Sequence, residues 1–232
     1  MSDHPYVPEI AIDREGNEHE VQGWQGDFFA GKFGFWLFML TEIMMFGAMF
    51  MVLTYYFTLH PDDFINASAS LNRWLGGFNT VILLISALTM GLGFLKMRHG
   101  DIKGAKLMTW ATILLAIIFL GVKGVEWTAE YNHGIFLGLE ALQGGGPNSK
   151  PFGEIMFFGM YFTMTGLHGV HIIIGIGLML WLLKRINAGK VTPEHHILHL
   201  NLALYWDLVH LIWVFVFPYY YMIGAGLSIG GH

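Results

Sequence analysis

The sequence predicts an all-α integral membrane protein, built as a bundle of five transmembrane helices. Of its 232 residues, 54% are hydrophobic and only 12% are charged, whereas soluble domains carry about 25% charged residues. Five stretches reach the length of about 20 apolar residues that a bilayer crossing requires. Each is apolar around its whole circumference, which fits lipid better than the one-sided stripe of a soluble helix.

The elements follow in a simple order. Residues 1–32 are polar and acidic and form a predicted N-terminal arm without the basic and apolar regions of a cleaved signal. The transmembrane domain covers 33–224, and residues 225–232 form a short glycine-rich tail. The predicted spans are 33–59, 74–95, 107–127, 153–183 and 202–224.

Basic residues are distributed unevenly between the two ends of these spans. Arg73 and Lys150 fall at one end, and nine others fall at the opposite end: Arg14, Lys32, Lys96, Arg98, Lys103, Lys106, Lys184, Arg185 and Lys190. Because basic residues concentrate on the cytoplasmic side, the N-terminus is predicted to be cytoplasmic and the C-terminus external. The net charge of −5 argues against nucleic acid as a partner. The lack of cysteine excludes disulfides and thiolate metal sites.

Ionisable side chains inside the spans are costly and usually functional. Lys123 and Glu126 are three residues apart and predict an interfacial ion pair. Asp207 and His210 have the same spacing and predict a hydrogen bond that joins helices. Glu42 has no charged neighbour in sequence, and at 1.5 Å per residue it lies about 15 Å from Lys32.

The segment FTMTGLHGVHIIIG places His168 and His171 on one predicted helix. Metal or haem binding, proton transfer and helix packing all fit such residues. His171 lies about 20 Å from the basic end of its helix, which is level with Glu42, so hydrogen bonding between these two is favoured. Two alternatives stay open: a cytochrome with haem held by His168 or His171 and His210, and a proton channel or transporter using Glu42, His171 and Asp207. The HHILH cluster at 195–199 is predicted to be an interfacial patch more than a metal site.

Seven segments of the chain resemble, in order, cytochrome c oxidase subunit III: FWLFMLTEIMMFGAMF, FNTVILLIS, MRHGDIKGA, GVEWTAEY, TGLHGVHIIIG, HHILHLNLALYWDLVHLIWVF and the aromatic end. The resemblance covers roughly residues 33–223. It implies an accessory subunit without redox centres, with no metal on this chain. Haem and copper are then expected on the partner chains, which are the catalytic subunit I, subunit II and other respiratory chains. It also implies support of proton uptake, protection from inactivation during turnover, and bound phospholipid.

The resemblance also implies roles for individual residues. Glu42 matches the family's reactive intramembrane carboxylate, and His171 matches the histidine that hydrogen-bonds it. Arg185 matches a basic residue at a lipid head group, and Glu126 and His168 match structural positions. The same family includes subunits of quinol oxidases and homologues associated with nitric oxide reduction, which the sequence does not separate from cytochrome c oxidases.

Three departures from the family pattern are visible. Many members have seven spans, and the five-span form indicates a bacterial plasma membrane. The usual YWHxVD motif is YWDLVH here, which exchanges the acid and the histidine at Asp207 and His210, and Leu200 and Asn201 lie where a glutamate is usual. Lys123 replaces a residue that is typically neutral.

Overall fold

The computed structural model describes residues 10–12, 18–20, 23–132, 134–135, 149–192 and 196–224, with side chains from residue 33 onward. Within this part of the chain there are two short strands and six helices. The strands are β1 (Ile10–Ile12) and β2 (Glu18–Glu20), and the helices are α1 (Gly23–Leu59), α2 (Pro61–Ser70), α3 (Arg73–Arg98), α4 (Ile102–Asn132), α5 (Phe152–Asn187) and α6 (Ile197–Tyr221).

The chain divides into two compact units, Met1–Glu42 and Ile43–His232. In the first unit, β1 and β2 pair in antiparallel register, with Ile10 opposite Glu20. This ribbon was not predicted from the sequence, because three-residue strands leave too short an alternating pattern to detect.

The predicted five-helix membrane architecture is confirmed. Five helices are long and apolar enough to cross a membrane: Phe33–Leu59 within α1, then α3, α4, α5 and α6. Their outer faces are apolar, as the exposed side chains Phe78, Val81, Leu84, Leu88 and Leu92 of α3 illustrate. In the most apolar 18-residue stretch of α6, 56% of the residues are buried, against 33% in the corresponding stretch of α3. Helix α6 is therefore the most buried span, and it packs between α3 and α5.

Helix α2 lies between two spans and has the composition of an interfacial helix. It begins with Pro61 at its first turn, where the missing N–H costs nothing, and buries Phe64 against Phe157 of α5, with ring centroids 5.4 Å apart. The Ser68 hydroxyl donates to the carbonyl of Tyr220 at 2.8 Å. These contacts fix α2 across the ends of α5 and α6.

The turn between α3 and α4 lies at the predicted cytoplasmic end. Gly100 adopts a φ of +85°, a conformation that favours glycine. The Asp101 carboxylate accepts hydrogen bonds from the Gly104 N–H at 2.8 Å and from the Lys96 ammonium at 3.0 Å. The Gly104 N–H and then Lys96 hold the pKa of the exposed Asp101 carboxyl below its ordinary value.

Glycines let α6 approach its neighbours closely. A Cβ on Gly175 of α5 would lie 2.6 Å from the ring of Trp206, and a Cβ on Gly76 of α3 would lie 2.9 Å from the ring of Tyr221. Both aromatic rings are fully buried. Small residues at such positions bring membrane helices into van der Waals contact, so these two glycines set the distances between α6 and the helices on either side.

Candidate functional site

Among the described residues, a buried polar cluster forms around Lys123 and Glu126 of α4. The Lys123 ammonium contacts the Glu126 carboxylate at 3.1 Å, and both side chains are buried. The sequence predicted this ion pair near the interface between membrane and water. In the structure it is enclosed by the other helices, and Glu126 keeps only 2% of its surface exposed.

Two tyrosines from other helices complete the cluster. The hydroxyls of Tyr161 on α5 and Tyr221 on α6 each accept from Lys123 at 3.0 Å. Both hydroxyls donate to the same Glu126 oxygen, Tyr161 at 2.8 Å. The ammonium also lies 5.1 Å from the ring centroid of Trp213, a distance at which a cation is attracted to an aromatic face. Lys123 and Glu126 therefore have hydrogen-bond partners from other helices, and the cluster ties α4, α5 and α6 together.

A second polar cluster centres on His210 of α6. Its Nδ1–H donates to the backbone carbonyl of Trp206, so that Nε2 of the neutral ring accepts from the Ser86 hydroxyl of α3, at 2.7 Å. The Trp206 indole N–H donates to the same hydroxyl at 3.2 Å. His210 thus joins α6 to α3, and both of its ring nitrogens are used in doing so.

Asp207 does not share this environment. It is exposed on the outer side of α6 while His210 is buried, and no hydrogen bond or ion pair joins them. The predicted helix-joining hydrogen bond is therefore made by His210, through Ser86, and not by Asp207. A spacing of three residues separates side chains by about 60° around a helix, and at this position that angle separates the inside of the bundle from its surface.

His168 and His171 differ in their surroundings. The His168 ring packs against Trp213 and Phe119, with centroids 5.1 and 5.8 Å away, and neither ring nitrogen has a hydrogen-bond partner among the described residues. The His171 Nδ1–H donates to the carbonyl of Leu167 at 2.8 Å, and the ring centroids of His171 and Phe46 are 5.7 Å apart. Both ring nitrogens of His210 are engaged in hydrogen bonds, so this ring offers no free nitrogen to a haem iron.

Metal coordination was weighed for the histidines at 195–199, of which residue 195 lies outside the described residues. His196 and His199 flank the ring of Phe94, with centroids 5.6 and 6.0 Å away. Within the described ranges, no group of three histidine, aspartate or glutamate side chains has a geometry that could hold a metal ion.

Comparison with known proteins identifies the family. The family described as "Cytochrome c oxidase subunit III" matches residues 148–225. The chain is 28% identical to quinol oxidase subunit 3 of Bacillus spizizenii, over 83% of this chain and 87% of that protein. It is 29% identical to cytochrome bo(3) ubiquinol oxidase subunit 3 of Pseudomonas aeruginosa, over 83% and 85%. It is 34% identical to cytochrome c oxidase subunit 3 of Neurospora crassa, over 63% and 48%.

The chain belongs to the haem-copper oxidase subunit III family. It is accordingly a multi-pass membrane protein and one component of an oxidase complex. The family match at 148–225 contains all of α5 and α6, which carry His168, His171, Tyr161 and His210.

Two further residues expected in a subunit III lie elsewhere in the molecule. Glu42 is half-buried in α1, in the first compact unit. Its predicted hydrogen bond to His171 would join the two units and stays a prediction. Arg185 lies near the end of α5, where its guanidinium stands 4.9 Å from the ring centroid of Trp181.

Sequence reasoning missed Tyr161, Tyr221 and Ser86, which complete the two polar clusters of this subunit III. Tyr161 is 38 residues from Lys123 along the chain, Tyr221 is 98 residues from it, and Ser86 is 124 residues from His210. One feature of the sequence indicated such partners. Lys123 stands where the family typically has a neutral residue, and an additional cation inside a span requires hydrogen-bond acceptors on another helix.

Proposed function

We propose that this chain is a non-redox accessory subunit of a respiratory haem-copper terminal oxidase, with haem and copper carried by partner subunits. One observation supports this most directly: in a member of the subunit III family, the two buried polar clusters around Lys123 and His210 join helices. The His210 nitrogens bind Ser86 and a backbone carbonyl, and Lys123 and Glu126 bind each other and two tyrosines.

Co-purification tests this proposal. A tagged version of the chain is expected to bring down oxygen-reducing activity and haem-containing subunits, while the chain purified alone shows no haem absorption. A reduced-minus-oxidised haem spectrum on the isolated chain would contradict the proposal and revive the bis-histidine cytochrome.

For the electron donor, the relatives divide between quinol oxidases and cytochrome c oxidases. The quinol oxidase subunits of Bacillus spizizenii and Pseudomonas aeruginosa align over at least 85% of their length, and the Neurospora crassa cytochrome c oxidase subunit aligns over 48%. This favours a quinol as the donor, with cytochrome c, the donor that the resemblance to cytochrome c oxidase subunit III implies, as the second candidate. Oxygen consumption by the purified complex with a ubiquinol or with reduced cytochrome c distinguishes the two.

We also propose that Glu42 pairs with His171 and supports proton uptake into the complex. The His171 Nδ1–H is used within its own helix, so the partner of Glu42 is Nε2, which accepts from a protonated carboxyl or donates from an imidazolium. Glu42→Gln is expected to leave the first turnovers near normal and to shorten the active lifetime of the oxidase. Thr41→Ala, at a hydroxyl that bonds only its own helix, is the control. Loss of the initial rate in Glu42→Gln would contradict this role.

A phospholipid head group fits the basic end of α5. Lys184, Arg185 and Lys190 line a cavity of about 200 Å³ together with Trp181 and Ala188, so that three cations converge where a phosphate can accept from them. Arg185→Gln is expected to lower the phosphorus retained by the purified complex. Lys103→Gln, which removes one exposed charge on the same predicted side of the membrane, is expected to leave the retained phosphorus unchanged. Equal phosphorus in both variants would refute the role of Arg185.

We propose a bacterial plasma membrane location with the N-terminus in the cytoplasm. Because the chain has no cysteine, single cysteines report on topology directly. In spheroplasts, a membrane-impermeant maleimide is expected to label Asp62→Cys, and to label Lys103→Cys only after permeabilisation. The reverse pattern would overturn the orientation.

A further inference from the structure

Asp207 is a carboxylate on the outside of a membrane helix, close to the middle of the bilayer. It follows Ile197, the first residue of α6, by ten positions and precedes Tyr221, the last, by fourteen. At 1.5 Å per residue these separations are about 15 and 21 Å. Asp207 is exposed, and no hydrogen bond or ion pair to it occurs among the described residues.

The surface around Asp207 is apolar and partly concave. Leu211, Val214 and Phe215 on the same side of α6 are exposed to 51%, 42% and 59%. An open groove of about 380 Å³ begins beside them, with its walls formed by α6 and by the part of α1 after Glu42. Its lining residues are Ile43, Phe46, Gly47, Phe50, Leu208, Leu211, Ile212, Phe215 and Tyr219.

Hydrocarbon cannot satisfy the carboxylate at this depth. Acidic side chains in membrane helices almost always face the bundle interior or a water-filled cavity, paired with another group. Asp207 does neither, although the same helix places His210, three residues on, inside the bundle. The complement that this position requires is therefore a cation or a strong hydrogen-bond donor from outside the chain.

We propose that the face of α6 formed by Asp207, Leu211, Val214 and Phe215 is the docking surface for a transmembrane helix of a partner oxidase subunit. That helix carries an arginine, lysine or histidine level with Asp207, and its apolar side chains fill the groove beside Leu211. This inference rests on the proposed function, because it requires the chain to work within a multisubunit oxidase.

Other occupants fit the charge less well. A lipid acyl chain fills the groove but leaves the carboxylate without a partner. A second copy of this chain docking through the same face on a two-fold axis would bring two Asp207 carboxylates together, and like charges in contact are repulsive. A partner helix with apolar side chains and one basic residue both fills the groove and pairs with the carboxylate.

Photo-crosslinking in the intact oxidase tests the contact. A photoreactive benzoylphenylalanine at position 211 leaves Asp207 in place, and one at Leu180, which is 44% exposed on α5, is the matched control. The expected adduct at 211 joins this chain to a transmembrane segment of a partner subunit that contains a basic residue, with no such adduct from 180. An adduct at 211 with lipid alone, or with a second copy of this chain, overturns the docking surface.

Charge variants test the role of Asp207. Asp207→Asn and Asp207→Lys are compared with Asp62→Asn, which removes an exposed acid outside the spans. After confirmation of equal amounts in membranes, Asp207→Lys is expected to dissociate from the complex at least about tenfold faster in detergent, because a like-charged contact replaces a complementary one. Aspartate substituted for the crosslinked partner's basic residue should restore retention of Asp207→Lys. Unchanged retention of Asp207→Lys overturns the proposal.

The two levels of proposal fail differently. An active oxidase that retains the Asp207→Lys chain refutes the docking surface and leaves the accessory function intact. A chain that purifies free of oxidase subunits, with Asp207 unchanged, refutes the proposed function and the docking surface together.

Discussion

Replacing Lys123 with methionine would remove a buried cation and leave its partners in place. The variant keeps most of the side-chain volume, so the packing against Trp213 is largely preserved. It leaves the buried Glu126 carboxylate with the hydroxyls of Tyr161 and Tyr221 as donors to one oxygen and no cation beside the other. Lys123→Met therefore isolates the electrostatic contribution of the cluster.

The expected cost follows from the contacts that are lost. Lys123 donates three hydrogen bonds, which at about 0.6 kcal/mol each in membrane proteins account for about 2 kcal/mol. Removing one member of a buried ion pair costs about 3–5 kcal/mol in all, because the remaining charge is uncompensated. Tyr161→Phe also loses hydrogen bonds with three groups but keeps the ion pair, so it should lower the free energy of unfolding by about 2 kcal/mol.

The free energy of unfolding, measured by titrating the purified chain with dodecyl sulfate in mixed micelles, gives the comparison. Lys123→Met should be more destabilising than Tyr161→Phe, and Thr128→Ala, at an exposed hydroxyl that bonds its own helix, should stay within about 0.5 kcal/mol of the parent. The double variant Lys123→Met with Glu126→Gln should cost less than the sum of its singles by about 2 kcal/mol. Additive costs, or a Lys123→Met variant as stable as the control, would refute the reasoning.

Three further changes have defined outcomes. Gly175→Ala should lower the free energy of unfolding by about 1–3 kcal/mol, because its Cβ would meet the buried Trp206 ring. Gly169→Ala on the same helix has open space around it and should leave the free energy of unfolding unchanged. Equal effects of the two substitutions would contradict the packing argument. His210→Leu should cost about 1–3 kcal/mol because it removes the two hydrogen bonds that the ring makes to the Trp206 carbonyl and the Ser86 hydroxyl, and a neutral result in the same titration would count against the second cluster. The Asp101 carboxyl should titrate below its ordinary pKa of 3.8. Because folding lowers this pKa, the ionised carboxylate stabilises the folded state at pH values above the unfolded-state pKa. That stabilisation is lost as the pH falls through the folded-state pKa. An NMR titration midpoint at or above 3.8 would contradict this.

Hydropathy was sufficient to predict the five spans because each crossing needs a long apolar segment. The ends were less certain: α3 begins at Arg73 and ends at Arg98, beyond the predicted 74–95, because helical hydrogen bonding continues past the apolar stretch. Helix α2 was not predicted, since PDDFINASAS is short and polar and takes its stability from Phe64 and Ser68 contacts with other helices.

The clusters were predictable only where the partners lie close in sequence. Lys123 and Glu126 are one turn apart, so their pairing follows from helix geometry. The tyrosines that complete the cluster, and the serine that binds His210, depend on which helices become neighbours and how each is rotated. Rotation also explains Asp207: the sequence gives its spacing from His210, while the packing of α6 against α3 and α5 decides which of the two faces outward.

The pairing of Lys123 with Glu126 inside one helix has a consequence for membrane insertion. Tyr221 is 98 residues beyond Lys123, so a ribosome adding about 5–20 residues per second reaches it about 5–20 s later. During that interval α4 enters the bilayer without the helix that will cover its charges. A cation and an anion one turn apart travel as a locally neutral unit, and the tyrosines need only close around a pair that has already formed.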